Sequence, residues 1–182
     1  MIQRRGSRIV YQNRWMTVRE DEVEFADGSR GIYGVVDKPH FALVMPLDGD
    51  HLYLVRQYRY PVGSWEWEFP QGSAPNDPRL DPAQLAAQEL REETGLRAGR
   101  LAKLGFLYEA YGYANQGFHI FVASALQLGH TAHERGEAGM ELHRLSLSDV
   151  KAMIRDGTLR DAPSVSAFAL LTLSDHVEVD HA

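Results

Sequence analysis

The segment Gln88-Glu89-Leu90-Arg91-Glu92-Glu93-Thr94-Gly95-Leu96 carries the densest chemistry in the chain. On a helix of about 3.6 residues per turn, Glu89, Glu92 and Glu93 fall within roughly a 100° sector of one face. Like charges at that spacing repel by a few tenths of a kcal/mol per pair (about 0.2–0.5) on an exposed helix. A chain that keeps three carboxylates together points to a counter-ion. Oxygen-only ligands suit a hard divalent cation, Mg²⁺ or Mn²⁺, better than zinc. The plainer alternative is a solvated acidic face, which for three glutamates on any helix taken alone is the commoner reading.

The residues around them predict the helix that positions them. Asp81-Pro82-Ala83-Gln84 supplies an N-cap, a first-turn proline and a capping-box glutamine. Ala83, Ala86, Ala87 and Leu90 form an apolar stripe beside the carboxylates, and Gly95 is placed to end the helix in a left-handed turn.

Before this helix the chain reads as strands: Arg8 to Trp15, Met16 to Phe25, Ile32 to Val36 after an Asp27-Gly28 turn, Phe41 to Leu47, His51 to Tyr58, and Trp65 to Phe69. Phe41 to Leu47 is almost continuously apolar, as expected of a strand buried on both faces. Ser73 to Leu80 is loop. Leu101 to Ala110, Phe118 to Leu126 and Met140 to Leu145 are further strands. His130 to Gly139 is a polar loop, and helices follow over Ser148 to Arg155 and Ala162 to Leu173, the last capped by Asp161. This order predicts an α/β layered domain with a mixed sheet rather than alternating βαβ units. Pro39 marks the boundary between an N-terminal strand lobe, 1–39, and a main domain, 40–182.

Composition narrows the function. With 182 residues and 44% hydrophobic content, the chain can bury a core. A net charge of −6 without a basic block argues against a duplex nucleic-acid surface, while leaving room for a local phosphate pocket. The absence of cysteine rules out disulfides and thiolate metal sites. No apolar run approaches a membrane span and Met1 to Arg8 is no signal peptide, so the expectation is a soluble, cytoplasmic protein.

Gly72 followed by Glu89-Leu90-Arg91-Glu92-Glu93-Thr94-Gly95-Leu96 resembles the Nudix box, G-x5-E-x7-R-E-U-x-E-E-x-G-U with U aliphatic. Arg56-Gln57-Tyr58-Arg59-Tyr60, Glu68-Phe69-Pro70-Gln71-Gly72 and Met153-Ile154-Arg155-Asp156-Gly157 are similar to the ADP-ribose pyrophosphatase branch. Aligned backwards from Glu89, the box arginine falls on Gln88 and its first glutamate on Leu80, and two extra residues follow Gly72. The branch's usual proline, sixteen residues beyond the box, is Gly112 here. Losing arginine and glutamate together leaves no lone buried charge.

The resemblance implies a Nudix fold, a mixed sheet sandwiched between helices, with the N-terminal lobe forming a homodimer. It implies divalent-metal-dependent cleavage of a nucleoside diphosphate sugar, with Mg²⁺ or Mn²⁺ held by Glu89, Glu93 and then Glu92, and by a backbone carbonyl at Ala74 or Ser73. The general base is expected on the loop after the sixth strand or so, first Glu137, then Glu134 or Glu141. Arg56 and Arg59 are candidates for gripping phosphates, since a guanidinium matches phosphate oxygens in pairs. Glu68 and Tyr111 join them as substrate-binding candidates. Trp65, Trp67, Tyr108, Tyr113 and Phe118 complete an aromatic set for stacking or core contacts, and His119 reads as a satisfied structural histidine. The competing expectations are another pyrophosphate substrate, such as a dinucleoside polyphosphate or GDP-mannose, and a non-catalytic nucleotide-sugar binding module.

Overall fold

The computed structural model describes residues 1–77, 79–129 and 139–174. Three strands, β1 (Gln3–Gln12), β2 (Thr17–Glu24) and β3 (Arg30–Asp37), form an antiparallel sheet in the order β1-β2-β3. β1 begins five residues before the Arg8 expected from the sequence. Its polar first half is held by cross-strand ion pairs, Arg5 to Glu24 at 2.9 Å and Arg8 to Glu20 at 2.7 Å, rather than by apolar alternation.

The second sheet is mixed. It contains β4 (Phe41–Asp48), β5 (His51–Arg59), β6 (Ser64–Glu68), β7 (Gln71–Gly72), β8 (Leu96–Tyr108), β9 (Gly117–Leu128) and β10 (Glu141–Ser146). Its main path runs β10-β5-β4-β9-β8, with β6 on β5 and β7 on β4, and only β4 and β9 pair in parallel. Helix α1 (Pro82–Thr94) packs on one face; α2 (Leu147–Asp156) and α3 (Ala162–Thr172) pack on the other. The fold is thus the α/β arrangement expected, with a separate three-stranded sheet at the N-terminus.

β4 shows why the sheet needs helices on both sides. Ala42 and Val44 join Leu85, Ala86 and Leu90 of α1 in one cluster. Leu43 and Met45 join Val150 of α2 and Ala167, Phe168 and Leu171 of α3 in the other. Strand side chains alternate between faces, so a strand in the middle layer must be apolar throughout.

α1 starts and stops as the sequence predicts. The Asp81 carboxylate accepts from the N–H groups of Ala83 and Gln84 at 2.9 and 3.2 Å, and Gly95 takes the left-handed conformation at φ 72°. Gln84 stays exposed. The buried stripe differs from the expected one: Ala87 is exposed, and Leu85 takes its place because it packs with Ala86 and Leu90 in the cluster that covers Ala42 and Val44 of β4. β8 begins directly after Gly95 rather than at Leu101, and its first half pairs with β9 out to Leu128.

The two sheets join through the β8–β9 connection. Val36 N–H donates to the Tyr113 carbonyl at 2.8 Å, Asn115 Nδ2 donates to Asp37 at 2.7 Å, and Tyr33 donates to the Gly112 carbonyl at 2.6 Å. No helix of the described residues is long and apolar enough to cross a membrane.

Candidate active site

The site is assembled at the seam between β5, β6, β7 and two helix ends. β6 reads Ser64-Trp65-Glu66-Trp67-Glu68, and the alternation sorts it cleanly. Glu66 and Glu68 turn into an open cleft of about 880 Å³, with Arg59, Gln71, Gly72, Ser73, Arg160 and Asp161 among its walls. Trp65 and Trp67 turn to the opposite face, where Trp67 meets His143 edge-on at 4.7 Å.

Glu68 is the centre of the inner network. It is 2% exposed and accepts from Arg59 Nε and Nη2 at 3.1 and 2.7 Å, from Gln71 Nε2 at 3.1 Å, and from Gln57. Burial pushes the Glu68 carboxyl up, and the Arg59 charge opposes that shift. Burial also works against the Arg59 charge, but Glu68, Glu93 and Asp161 outweigh it and raise its affinity for the proton. Gln71 reaches further, donating to Asp161 at 3.0 Å, and Asp161 caps α3 through Ser164 N–H at 3.0 Å. Ser164, fully buried, in turn accepts from Phe69 N–H at 2.9 Å and fixes the end of β6.

Glu89 and Glu93 of α1 stand against this wall. Both are buried. Gln71 N–H points to Glu93 Oε2 at 3.3 Å. Gly72 has no side chain because there is no room for one: an added Cβ would sit 2.5 Å from Cδ, Oε1 and Oε2 of Glu89. Glu92 goes another way. It is half-buried and pairs along its own helix with Gln88 Nε2 at 3.4 Å and Arg91 Nη2 at 3.2 Å. The two departures from the box have separate homes. Gln88 serves Glu92, and Leu80 packs into the α1 cluster.

The other expected site residues are dispersed. Arg56 is one residue out of phase with Gln57 and Arg59. It lies on the tryptophan face, 5.7 Å from the ring centre of Trp65, and pairs with Glu141 at 3.5 Å. Glu141 is exposed at the start of β10, and neither residue lines the cleft. Tyr111 is 84% exposed on the β8–β9 connection and does not line it either. Phe118 is core, while Tyr108 and Tyr113 are exposed. Glu134 and Glu137 lie outside the described residues. Ser73 lines the cleft. Ala74 lines a smaller neighbouring cavity of about 310 Å³, and its carbonyl accepts from Asp77 N–H at 3.1 Å. His119 is not the satisfied histidine expected. It packs on Phe106 at 4.8 Å, burial lowers its affinity for a proton, and its buried Nδ1 has no hydrogen-bond partner among the described residues.

Sequence reasoning missed Glu66, Gln71, Arg160 and Asp161 as cleft residues. The Trp-Glu-Trp-Glu alternation held the signal for Glu66. Asp161 was legible only as a helix cap, since its second role depends on where α3 docks.

All donors gathered at Glu89, Glu93, Gln71 and Gly72 are hard oxygens or peptide groups, which suits a divalent cation of the Mg²⁺ type. Among the described residues, no three acidic or histidine side chains are already arranged as a complete metal cage. Close to Arg59 the acids nonetheless predominate, since Glu68, Glu93 and Asp161 act together on its guanidinium.

A wall of acids and two arginines beside a glycine-backed glutamate helix is a phosphate-handling arrangement, and sequence comparison says which kind. Residues 37–168 match the NUDIX domain, and residues 2–36 match the nucleoside diphosphate sugar hydrolase N-terminal domain. The chain belongs to the Nudix family and is a hydrolase acting on pyrophosphate bonds. It is similar to the CMP-5'-(N-acetyl-N-hydroxy-3-aminopropyl)phosphonate hydrolase of Streptomyces rubellomurinus, 29% identical over 93% of this chain and 82% of that one. It is also similar to the ADP compounds hydrolase NudE of Escherichia coli, 30% identical over 89% of this chain and 87% of that one. A crystal structure of an ADP compounds hydrolase superposes with a TM-score of 0.83 at 26% identity, covering 97% of each chain. Nudix hydrolases generally use divalent metals.

Proposed function

We propose that the protein hydrolyses the pyrophosphate bond of a nucleoside diphosphate sugar of the ADP-ribose kind, releasing a nucleoside monophosphate and a sugar phosphate. The observation that carries this reading is the buried pair Glu89 and Glu93 set against Gly72 and Gln71, at the edge of a cleft large enough for a nucleotide. The match of residues 2–36 to the N-terminal domain of nucleoside diphosphate sugar hydrolases supports the substrate class.

Mg²⁺ or Mn²⁺ would be held by Glu89 and Glu93, with Glu92 rotating in and a peptide oxygen at Ser73 or Ala74 completing the set. The chemistry such an ion would supply is neutralisation of the charge that develops on the phosphate oxygens and a lowered pKa for the attacking water. Arg59 holds a phosphate oxygen with the N–H groups that Glu68 does not use, and Glu68, itself held by Gln57, fixes the direction of its fork. Gly72 and Gln71 keep the glutamates from drifting, a task that Gln88 and Leu80 do not perform. For the general base we retain Glu137, with Glu134 next. Glu141 is the weakest of the three, because it pairs with Arg56 on the opposite face of β5.

The chain works as a homodimer in this reading. Ile9, Val10, Tyr11, Trp15 and Ile32 of the N-terminal lobe expose large apolar surfaces, between 43% and 67% each, more than a lone small sheet usually shows to water. The test of the function is product mass. Incubation of a nucleoside diphosphate sugar with the protein and Mg²⁺ or Mn²⁺ should yield nucleoside monophosphate and sugar phosphate in equal amounts. Release of free phosphate or intact nucleoside diphosphate would place the cut elsewhere.

A further inference from the structure

Two regions of the cleft differ in charge. Around Arg59, the carboxylates Glu68, Glu93 and Asp161 outnumber the one guanidinium. Around Ser64, one acid meets one base. Arg160 Nε donates to Glu66 Oε2 at 2.8 Å and its Nη2 to Glu66 Oε1 at 2.5 Å, and Ser64 Oγ donates to the same Oε1 at 2.5 Å. The Arg160 guanidinium and the Ser64 hydroxyl hold the Glu66 carboxyl down to about 2, so the pair is a fixed, neutral couple at working pH.

The couple is also rigid and accessible. Glu66 is buried, while the Arg160 side chain is 62% exposed in the cleft. Its neighbours Leu159, 1% exposed, and Asp161, the α3 cap, pin its backbone on both sides. A guanidinium carries five N–H donors; Nε and Nη2 donate to Glu66, Nη2 also reaches Ser64 Oγ at 3.4 Å, and the two Nη1 protons on the outer edge are left unspent. Pro61, Val62 and Pro163 line the cleft here and offer apolar contact to ring carbons.

We propose that Ser64, Glu66 and Arg160 form the subsite for the uncharged, hydroxyl-rich end of the substrate, and that Arg160 selects a sugar there over a second phosphate or nucleotide. This rests on the pyrophosphatase reading above. A neutral couple donates hydrogen bonds to hydroxyl oxygens without the net positive charge that draws another phosphate. Because the donors are held before binding, little ordering is needed when the sugar arrives. The rival role is a plain clip joining the α2–α3 connection to β6.

The test compares two substrates that share the scissile bond: a nucleoside diphosphate sugar, and the β-methyl ester of the same nucleoside diphosphate, which lacks the hydroxyls. Wild type, Arg160→Ala and Arg160→Lys are measured with Mg²⁺ or Mn²⁺, alongside melting temperature. Arg160→Ala should lose about 10- to 100-fold in kcat/KM on the sugar substrate, mostly in KM, as expected for one or two hydrogen bonds from a charged donor. Its loss on the methyl ester should be at least tenfold smaller. Arg160→Lys keeps the charge but not the fork and should show the same substrate-dependent loss in milder form, which serves if the alanine variant does not fold. Equal losses on both substrates in either folded variant would overturn the subsite and leave the clip. A wild-type protein that cleaves neither substrate would instead bring down the pyrophosphatase reading and the subsite with it.

Discussion

Gly72→Ala separates the site from the fold more sharply than any other single change. Gly72 does not sit at positive φ, so its backbone accepts alanine without strain. The new Cβ, however, would stand 2.5 Å from all three atoms of the Glu89 carboxyl group. Ordinary carbon contacts are about 3.5–4.0 Å, so the carboxylate must retreat by about 1 Å. A misplacement of about 1 Å in catalytic geometry costs on the order of 100-fold in rate. The cost to the fold is small, because what yields is the end of a side chain. Moving a buried carboxylate costs about 1 kcal/mol, and removing glycine's unfolded-state freedom offsets about half to all of it. For a chain this long, that is a melting shift of at most about 2–4 °C. Steady-state turnover with mass-resolved products, read beside a thermal melt, checks both halves. Gly72→Ala with wild-type turnover would refute the placement of Glu89 in the reaction. Loss of the fold would refute the claim that only the carboxylate gives way.

Three further outcomes are expected, two from the cleft network and one from the N-terminal sheet. Ser164→Ala removes the acceptor for Phe69 N–H in a fully buried place and should lower unfolding free energy by about 1–3 kcal/mol in a urea titration. The Glu66 carboxyl lies lower in the fold, about 2, than its ordinary 4.5, so its contribution is complete above pH 4.5 and is lost as pH falls towards 2. Because Arg160 is largely in solvent, that contribution is only about 1 kcal/mol, and Glu66→Gln should flatten the acid limb of stability against pH by that amount. Replacing Trp15 and Ile32 by serine should convert a dimer to a monomer in light scattering, while leaving the main domain's melt in place.

Much of the architecture could be read before the structure because local chemistry and tertiary packing agree. Asp81, Pro82 and Gly95 bracket α1 where the structure begins and ends it. The unbroken apolar run of β4 announced a middle strand. What stayed hidden required knowledge of phase or docking. Arg56 and Arg59 looked equivalent in sequence, yet strand alternation put one on the tryptophan face and the other beside Glu68. The early start of β8 was masked by Arg97, Gly99 and Arg100. These lack an apolar pattern and join the sheet because β9 runs long enough to pair with them. Ala125, at φ 53°, lies close against Gly99, while the register shift of the pair falls further on, between Lys103 and Gly105. Asp161 and Arg160 are more than sixty residues from the glutamate helix, and only the seating of α3 on the sheet brings them to the cleft.

In the proposed function, Glu89 and Glu93 serve a metal-dependent cut of a pyrophosphate bond. The most direct measurement is product release from a nucleoside diphosphate sugar by wild type and Glu93→Gln, each with Mg²⁺ and then with chelator. Nucleoside monophosphate and sugar phosphate should appear from wild type with metal only, with a loss of at least about 100-fold in a folded Glu93→Gln protein. Release that survives chelation, or full turnover by Glu93→Gln, would contradict it.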